Sequence, residues 1–256
     1  MASYALLHSD CLRALARKGE QMKKRLTDKT RTVRVSRMVN MRGEIKQHLS
    51  DYHVKLMKGN SKTGESCWTV SLIPIADCPN CKGCQHDCYD VNNVCWRTDV
   101  ARQRAINSAI HKYDPERFWA EVSAEVQRLY VEQLRLNVGG DLTDEDFYYV
   151  EALGKANPRT DILFFTKNYK GLNAFYASGH RFPFNIKDNM SPWKGMDFEN
   201  PYNRPCAHVL YEDGTSDAYM PEFGAYYCGG NCTACHFKGE GCWTLKEGEH
   251  VVFLAH

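Results

Sequence analysis

Short apolar segments rich in β-branched residues alternate with helical patterns over most of the chain, and this alternation limits the fold more than any other feature. Such segments, each followed by a helix, are typical of βαβ units, in which the strands form a parallel sheet. The sequence therefore predicts an α/β protein. The predicted strands cover residues 68–75, 133–138, 161–166, 184–186, 207–211 and 250–254, and the predicted helices cover 98–111, 115–130, 143–157 and 169–177.

The loops after the predicted strands carry the chemically reactive residues. Parallel α/β proteins bind ligands beyond the carboxyl-terminal ends of their strands, so we expect these loops to converge on one edge of the sheet. Asp141 and Lys167 are the candidate catalytic residues. In chain order the loops contribute residues 78–88, then Gly139, Gly140 and Asp141, then Thr166, Lys167 and Asn168, and finally Asn189 and Ser191.

Four of the twelve cysteines form one compact run, which we call the first cysteine group: Cys78, Cys81, Cys84 and Cys88. The C-x2-C-x2-C-x3-C spacing is that of bacterial ferredoxin loops, in which successive thiolates reach one iron-sulfur cluster. A zinc site of four thiolates is the alternative, but it usually separates two C-x2-C knuckles by a longer excursion. The spacing therefore favours a 4Fe-4S cluster over zinc.

A second set of cysteines lies near the end of the chain. Five thiols are available there for four ligand positions, and His208 or His236 could take the place of one thiol as a ligand. Iron-sulfur and zinc are equally compatible with this spacing, so one or two clusters are expected in total. Cys11, Cys67 and Cys95 are predicted to be ordinary buried thiols, with Cys67 and Cys95 as spare ligands for the first group. The expected ligands of this second site are drawn from Cys206, Cys228, Cys232, Cys235 and Cys242.

The charge distribution separates a basic amino-terminal arm from a mildly acidic body. Residues 1–50 carry a net charge of +8, while residues 51–256 carry −6. Helical spacing is predicted at residues 9–24 and 41–57, and the run from Lys23 to Arg37 between them either contacts nucleic-acid phosphates or forms a solvated linker. The second interpretation is favoured because the run has no aromatic residue for base stacking.

Three regions follow from these patterns. We expect a basic, mainly helical extension at residues 1–58, a parallel α/β unit at 59–213, and a cysteine-rich metal-binding segment at 214–256. No apolar stretch approaches the roughly 18 residues of a membrane helix, so a soluble cytoplasmic protein is expected. The sequence has no His-Glu-x-x-His or Gly-x-Ser-x-Gly motif, so metalloprotease and serine-hydrolase activities gain no support.

Several short motifs occur in an order that resembles the bacteriophage gene-product-eighty-eight family over about residues 58–256. This resemblance implies a phage or mobile-element origin, hence the cytoplasm of a bacterial host, and cysteine-based metal binding. The motifs are Asn60-Ser61-Lys62-Thr63-Gly64, Ser71-Leu72, Cys78-Pro79, Cys88-Tyr89, Arg135 with Gly140-Asp141, Thr166-Lys167, Cys242-Trp243 and the closing His256.

A more distant similarity is to the radical S-adenosylmethionine (SAM) enzymes, which have a cysteine loop after the first strand of an incomplete parallel (β/α) barrel. That resemblance implies that three of the first-group cysteines hold the cluster and that Gly139, Gly140 and Asp141 bind the SAM amino group. Asp141 has an alternative role as a cap of the following helix, and Lys167 is either an anion-binding or Schiff-base lysine or a solvated loop residue.

The leading hypothesis from the sequence is an iron-sulfur protein with a radical-SAM-like active face, which cleaves SAM reductively and acts on an unknown substrate. Two alternatives remain open. One is a nucleic-acid-binding module stabilised by zinc or a cluster, and the other is an electron-transfer protein with fully coordinated clusters.

Overall fold

The computed structural model describes residues 27–59, 63–81, 83–93, 97–193, 195–210 and 225–254. The helix expected at 9–24, the start of the basic run and Cys11 and Cys95 lie outside these residues. The helices are α1 (Asp28–Lys46), α2 (Tyr89–Asn93), α3 (Thr98–Tyr113), α4 (Pro115–Arg128), α5 (Asp146–Ala156), α6 (Tyr169–Ala177) and α7 (Cys232–Lys238). The strands are β1 (Met57–Lys58), β2 (Cys67–Val70), β3 (Gln133–Leu136), β4 (Asp161–Thr166), β5 (Ile186–Met190), β6 (Cys206–Leu210), β7 (Ala225–Tyr227) and β8 (His250–Leu254).

The strands of the described residues form a single sheet in the order β1-β2-β3-β4-β5-β6-β8-β7. Only β1 runs antiparallel to its neighbour, and every other pair is parallel. The predicted α/β class with a parallel sheet is confirmed. Register aligns Cys67 with Gln133, Gln133 with Asp161, and Cys206 with His250.

The longer helices form one layer on one face of this sheet. From β2 to β6 the strands follow chain order, and right-handed crossovers in that order place successive helices on the same side. Consecutive helices accordingly pack together, α3 on α4, α4 on α5 and α5 on α6, while α1 packs on α3. Between the helices and the sheet lies the main core, which includes Leu134, Phe147 and Phe164.

The cysteine-rich carboxyl-terminal segment covers the opposite face of the sheet. Cys67 of β2 and Leu163 of β4 form a small buried cluster there with Cys235 and Trp243. The segment also reaches the chain just before β2, because Thr233 N donates a hydrogen bond to the carbonyl oxygen of Thr63 at 3.1 Å. One sheet face thus packs on helices, and the other packs on a segment rich in sulfur.

The structure differs from the prediction most clearly at β5, which covers Ile186–Met190 rather than residues 184–186. The strand includes Asp188, whose carboxylate is buried and accepts hydrogen bonds from Arg204 at 2.6 and 2.8 Å and from Tyr176 at 3.0 Å. An ion pair therefore replaces the apolar side chain that a strand pattern requires. Phe184, which the prediction placed inside the strand, is 79% exposed.

The basic run also differs from the prediction, because its described part is helical. The helix covers Asp28–Lys46, so the predicted bounds 41–57 are wrong. Thr27 caps α1 by accepting a hydrogen bond from Thr30 N at 3.2 Å. Arg34 then donates to the carbonyl oxygens of Val91 and Asn92 at 2.8 and 3.1 Å. Much of the charge of α1 is thus used within the chain, and nucleic-acid binding by this run stays a prediction.

Within the part of the chain that the structure describes, no helix is both long enough and apolar enough to span a bilayer.

Candidate metal centres

The loop that carries the first cysteine group begins directly after β2 and is fixed by Asp77. The Asp77 carboxylate accepts hydrogen bonds from Ile73 N at 2.8 Å and from Arg42 of α1 at 2.5 Å. Its carbonyl oxygen accepts from Asp141 N at 2.9 Å. Cys78 therefore follows a turn that is tied both to α1 and to the loop after β3.

Three thiols of the first cysteine group are joined by hydrogen bonds, and Cys88 lies near Cys84. The thiol of Cys81 is hydrogen-bonded to the thiols of Cys78 and Cys84, and the Cys78 bond, together with burial, raises the pKa of Cys81 to about 12. Burial raises the pKa of Cys88 as well, and the neighbouring Cys84 adds to the shift. Adjacent buried thiols resist ionisation until a cation stabilises their thiolates, so this geometry suits metal binding coupled to proton release.

The loops after β3 and β4 meet the cysteine loop through Asp141. Its carboxylate is buried and accepts hydrogen bonds at 2.8 Å from Thr166 Oγ1, Lys167 N and Leu142 N. Burial raises the pKa of this carboxyl group although these bonds and Lys167 oppose the shift. The predicted convergence of the strand-end loops is thus seen in the structure.

Asp141 bridges loops rather than capping a helix. The helix α5 begins only at Asp146, where Asp146 Oδ2 accepts from Thr143 N at 2.8 Å and Thr143 Oγ1 accepts from Asp146 N at 3.4 Å. The capping interpretation of Asp141 is therefore wrong. Its implied role in binding the SAM amino group stays a prediction.

The two glycines before Asp141 are required by close packing within the chain. A side chain at Gly139 would collide with the ion-paired Asp90 and Arg104. Gly140 has a φ of +83°, and a Cβ there would lie 2.7 Å from the Cβ of Leu72. Internal contacts thus account for both glycines, and their implied contact with SAM also stays a prediction.

We expect Asp141→Ala to lower the free energy of unfolding by about 3 kcal/mol, because it removes a buried carboxylate with three hydrogen bonds. Chemical denaturation of the purified protein measures this change. Glu145→Ala is the matched control, since that side chain is exposed, and should stay within about 0.5 kcal/mol of the parent. Equal stabilities of the two variants would contradict the bridging role.

Lys167 is the cation of the first cysteine group. Burial alone would lower its pKa, but Cys84, Asp141 and Cys78 outweigh burial and raise the pKa. The ammonium lies 5.4 Å from the ring centre of Trp193. The side chain is only partly exposed. The interpretation of Lys167 as a solvated loop residue is therefore wrong, and the lysine stands among thiols, a carboxylate and an aromatic ring.

Five other cysteines gather on the sheet face opposite the helices, and we call them the second cysteine group. Asn231 caps the helix that carries two of them, accepting a hydrogen bond from Ala234 N at 2.9 Å, and Trp243 Nε1 donates to the carbonyl oxygen of Cys232 at 2.9 Å. Four of the thiols line a cavity together with Arg135 and Phe165. The group consists of Cys67, Cys228, Cys232, Cys235 and Cys242.

Arg135 of β3 is the cation of the second cysteine group. Its Nη1 donates to Cys232 Sγ at 3.7 Å, and its guanidinium lies 5.1 Å from the ring centre of Phe165. Burial favours a lower pKa, yet the nearby Cys232, Cys67 and Cys242 raise it. Within the described residues no carboxylate forms an ion pair with Arg135, so sulfur is the source of its compensating charge.

The membership of the second group differs from the sequence prediction in two cysteines. Cys67, predicted as an ordinary thiol or a spare ligand of the first group, lies in the second, where burial raises its pKa to about 12. Cys206 lies instead beside His208 and His250. His236, considered as a substitute ligand, bonds to Asp161 at 2.7 Å. Sequence spacing missed Cys67 because only strand register brings β2 beside the end of the chain.

A family model matches just over half of the chain. Residues 46–183 match the family described as Gene product 88. The matched range contains the first cysteine group, Asp141 and Lys167, whereas the carboxyl-terminal cysteines lie beyond it. No curated protein and no solved structure matches the chain.

Proposed function

We propose that this chain, which belongs to the Gene product 88 family, is an iron-sulfur protein whose first cysteine group holds a 4Fe-4S cluster. The second cysteine group is proposed to hold a further thiolate-bound metal centre. The observation that carries the proposal is the presence of a buried or partly buried cation beside each cysteine group, Lys167 at the first and Arg135 at the second.

The charge of a metal-thiolate centre explains this pairing. Four thiolates around a zinc ion or an oxidised 4Fe-4S core leave a net charge of about −2, which a low-dielectric site must compensate. Protonated thiols need no such partner, and a cation placed among them would be costly. Arg135 is therefore well placed only if the thiols of the second group ionise, as metal binding requires, whereas Lys167 also has Asp141 as an anionic partner.

The first cysteine group favours iron over zinc because its four thiols come from eleven consecutive residues, the ferredoxin arrangement. A cluster held there would supply one-electron transfer. Cys81 bonds to Cys78 and Cys84, and Cys88 lies near Cys84, which supports the use of all four as iron ligands and hence electron transfer rather than SAM binding. Lys167 would compensate the charge of the cluster, and Asp141 would fix the loops around it.

Radical-SAM-like chemistry is the second candidate, and one observation favours it. The cysteine loop follows the first parallel strand of a sheet in sequential order with one helix layer, an arrangement that supports an incomplete (β/α) barrel. An anaerobic assay with SAM and a strong reductant separates the candidates. Formation of 5′-deoxyadenosine would favour SAM cleavage, and its absence from cluster-loaded protein would favour electron transfer.

The test of the proposal is the iron, zinc and acid-labile sulfide content of protein purified without oxygen. We expect brown protein in which Cys84→Ser lowers the iron content by about four atoms per chain. Cys206→Ser is the matched control, because Cys206 lies outside both cysteine groups, and it should keep its iron. A colourless parent protein with zinc and no sulfide would overturn the iron-sulfur assignment.

A further inference from the structure

Cys206, His208 and His250 bring three ligand atoms together at a place that neither cysteine group reaches. Cys206 and His208 alternate along β6, and the parallel register sets His250 of β8 directly beside Cys206. The three ligand atoms lie within 4.8 Å of one another. His208 Nε2 and His250 Nδ1 are 3.0 Å apart. All three side chains therefore point to one side of adjacent strands.

This side is the helix-bearing face, opposite the second cysteine group. Cys206 belongs to the main core with Met190, whereas Cys67, Leu163 and Cys235 form the cluster on the other face. The sheet thus separates the two sets of ligands. Any metal held by Cys206, His208 and His250 is a separate centre, because these residues cannot share a metal ion with the cysteines on the opposite face.

The His208 imidazole is buried, and only one of its ring nitrogens has a partner among the described residues. His208 is 1% exposed, and its Nδ1 has no hydrogen-bond partner among the described residues. The buried ring therefore has one nitrogen beside His250 and one without a partner in the part of the chain that the structure describes, and a buried polar atom without a partner costs about 1–3 kcal/mol.

We propose that Cys206, His208 and His250 bind one zinc ion through a thiolate and two imidazoles. Zinc accepts mixed sulfur and nitrogen ligands at about 2.0–2.3 Å, so tetrahedral ligand atoms stand roughly 3.3–3.8 Å apart. The observed cluster meets this spacing with small side-chain adjustments. Within the described residues the site has three protein ligands, which leaves the fourth position open, as in catalytic rather than structural zinc sites. This site does not depend on the iron-sulfur assignment.

The test is the zinc content of protein purified without oxygen, together with X-ray absorption at the zinc edge. We expect one equivalent of zinc with one sulfur and two imidazole neighbours in this site. Cys206→Ser and His250→Gln should each lose about one equivalent, with iron and sulfide unchanged. His180→Gln is the control, because His180 bonds to Glu151 at 2.7 Å away from these strands, and it should keep its zinc.

Three outcomes would overturn the proposal. The first is zinc content that is the same in the parent, Cys206→Ser and His250→Gln, and the second is a zinc environment of sulfur alone. The third is a parent without zinc that also fails to take up added zinc, since the two histidines would then be a simple hydrogen-bonded pair. The X-ray measurement on the parent needs no variant, so it decides the question even if a substitution prevents folding. Loss of iron alone would affect the proposed function and leave this site intact.

Discussion

Replacement of Arg135 by methionine is expected to destabilise the metal-loaded protein by about 2–4 kcal/mol and to lower the metal content of the second cysteine group. In the loaded state the guanidinium compensates the charge of thiolates, Cys232 among them at 3.7 Å. In metal-free protein the thiols are protonated, and methionine removes a poorly compensated cation. The same substitution should therefore leave the metal-free protein unchanged or more stable.

Denaturant unfolding of loaded and metal-free protein, both without oxygen, measures this reversal. Arg135→Lys is the control, since it keeps the positive charge while losing the planar hydrogen-bonding group, and its loaded form should lose less stability than the methionine variant. An equal loss in loaded and metal-free protein would show that Arg135 acts through packing on Phe165 alone. That result would remove the charge argument for the second centre.

Lys167→Met is expected to lower the reduction potential of the cluster in the first cysteine group by on the order of 100 mV. A unit charge at close range is worth roughly 2–3 kcal/mol at an effective dielectric constant of about 20. Reduction adds an electron to the centre, and the ammonium beside Cys84 and Cys78 stabilises that added charge. Removing the ammonium therefore makes the cluster harder to reduce.

A redox titration followed by electron paramagnetic resonance measures the potential. Lys170→Met is the matched control, because Lys170 lies in the same region of the chain but its side chain is exposed, and its effect should be several-fold smaller. Equal shifts in the two variants would contradict the position of Lys167 beside the cluster. Iron content of each variant distinguishes a change of potential from a loss of the cluster.

Much of the first centre was predictable from sequence because it depends on local spacing and on one topological rule. The cysteine run is continuous, and Asp141 and Lys167 each follow a strand whose carboxyl-terminal end was predicted to share an edge with the others. The structure brings these residues together as expected. The exact function of each side chain was less predictable, since Asp141 bonds to Thr166 and not to the helix that follows it.

The second centre was only half predictable because it depends on strand register. Thr69 aligns with Arg135, so Cys67 and Arg135 lie on the same face of neighbouring strands. Alternation of side chains along a strand is the signal that links them, but it is usable only once the pairing is known. Arg135 of β3 therefore lies beside the second cysteine group because of the strand pairing, and spacing along the chain does not indicate this position.

The strand β5 and the helix α1 show the same limit of prediction from local sequence. Asp188 of β5 is buried because Arg204, from a loop outside the strand, pairs with it at 2.6 Å. The local sequence does not indicate that Arg204 pairs with Asp188, so the predicted strand ends at residue 186, before Asp188. The helix α1 is comparable, since its Arg34 binds backbone oxygens of a distant segment and its Arg42 binds the Asp77 carboxylate.

The contact of the carboxyl-terminal segment with the sheet has a consequence for biosynthesis. In the proposed assignment the first cysteine group takes its four ligands from residues 78–88, which are synthesised long before the last ligands of the second group. The second group joins Cys67 to cysteines at 228–242, and the hydrogen bond from Thr233 to Thr63 closes the same long interval. Its proposed metal can be fully coordinated only after residue 242 has been synthesised, so the ligand set of the first centre is complete before that of the second.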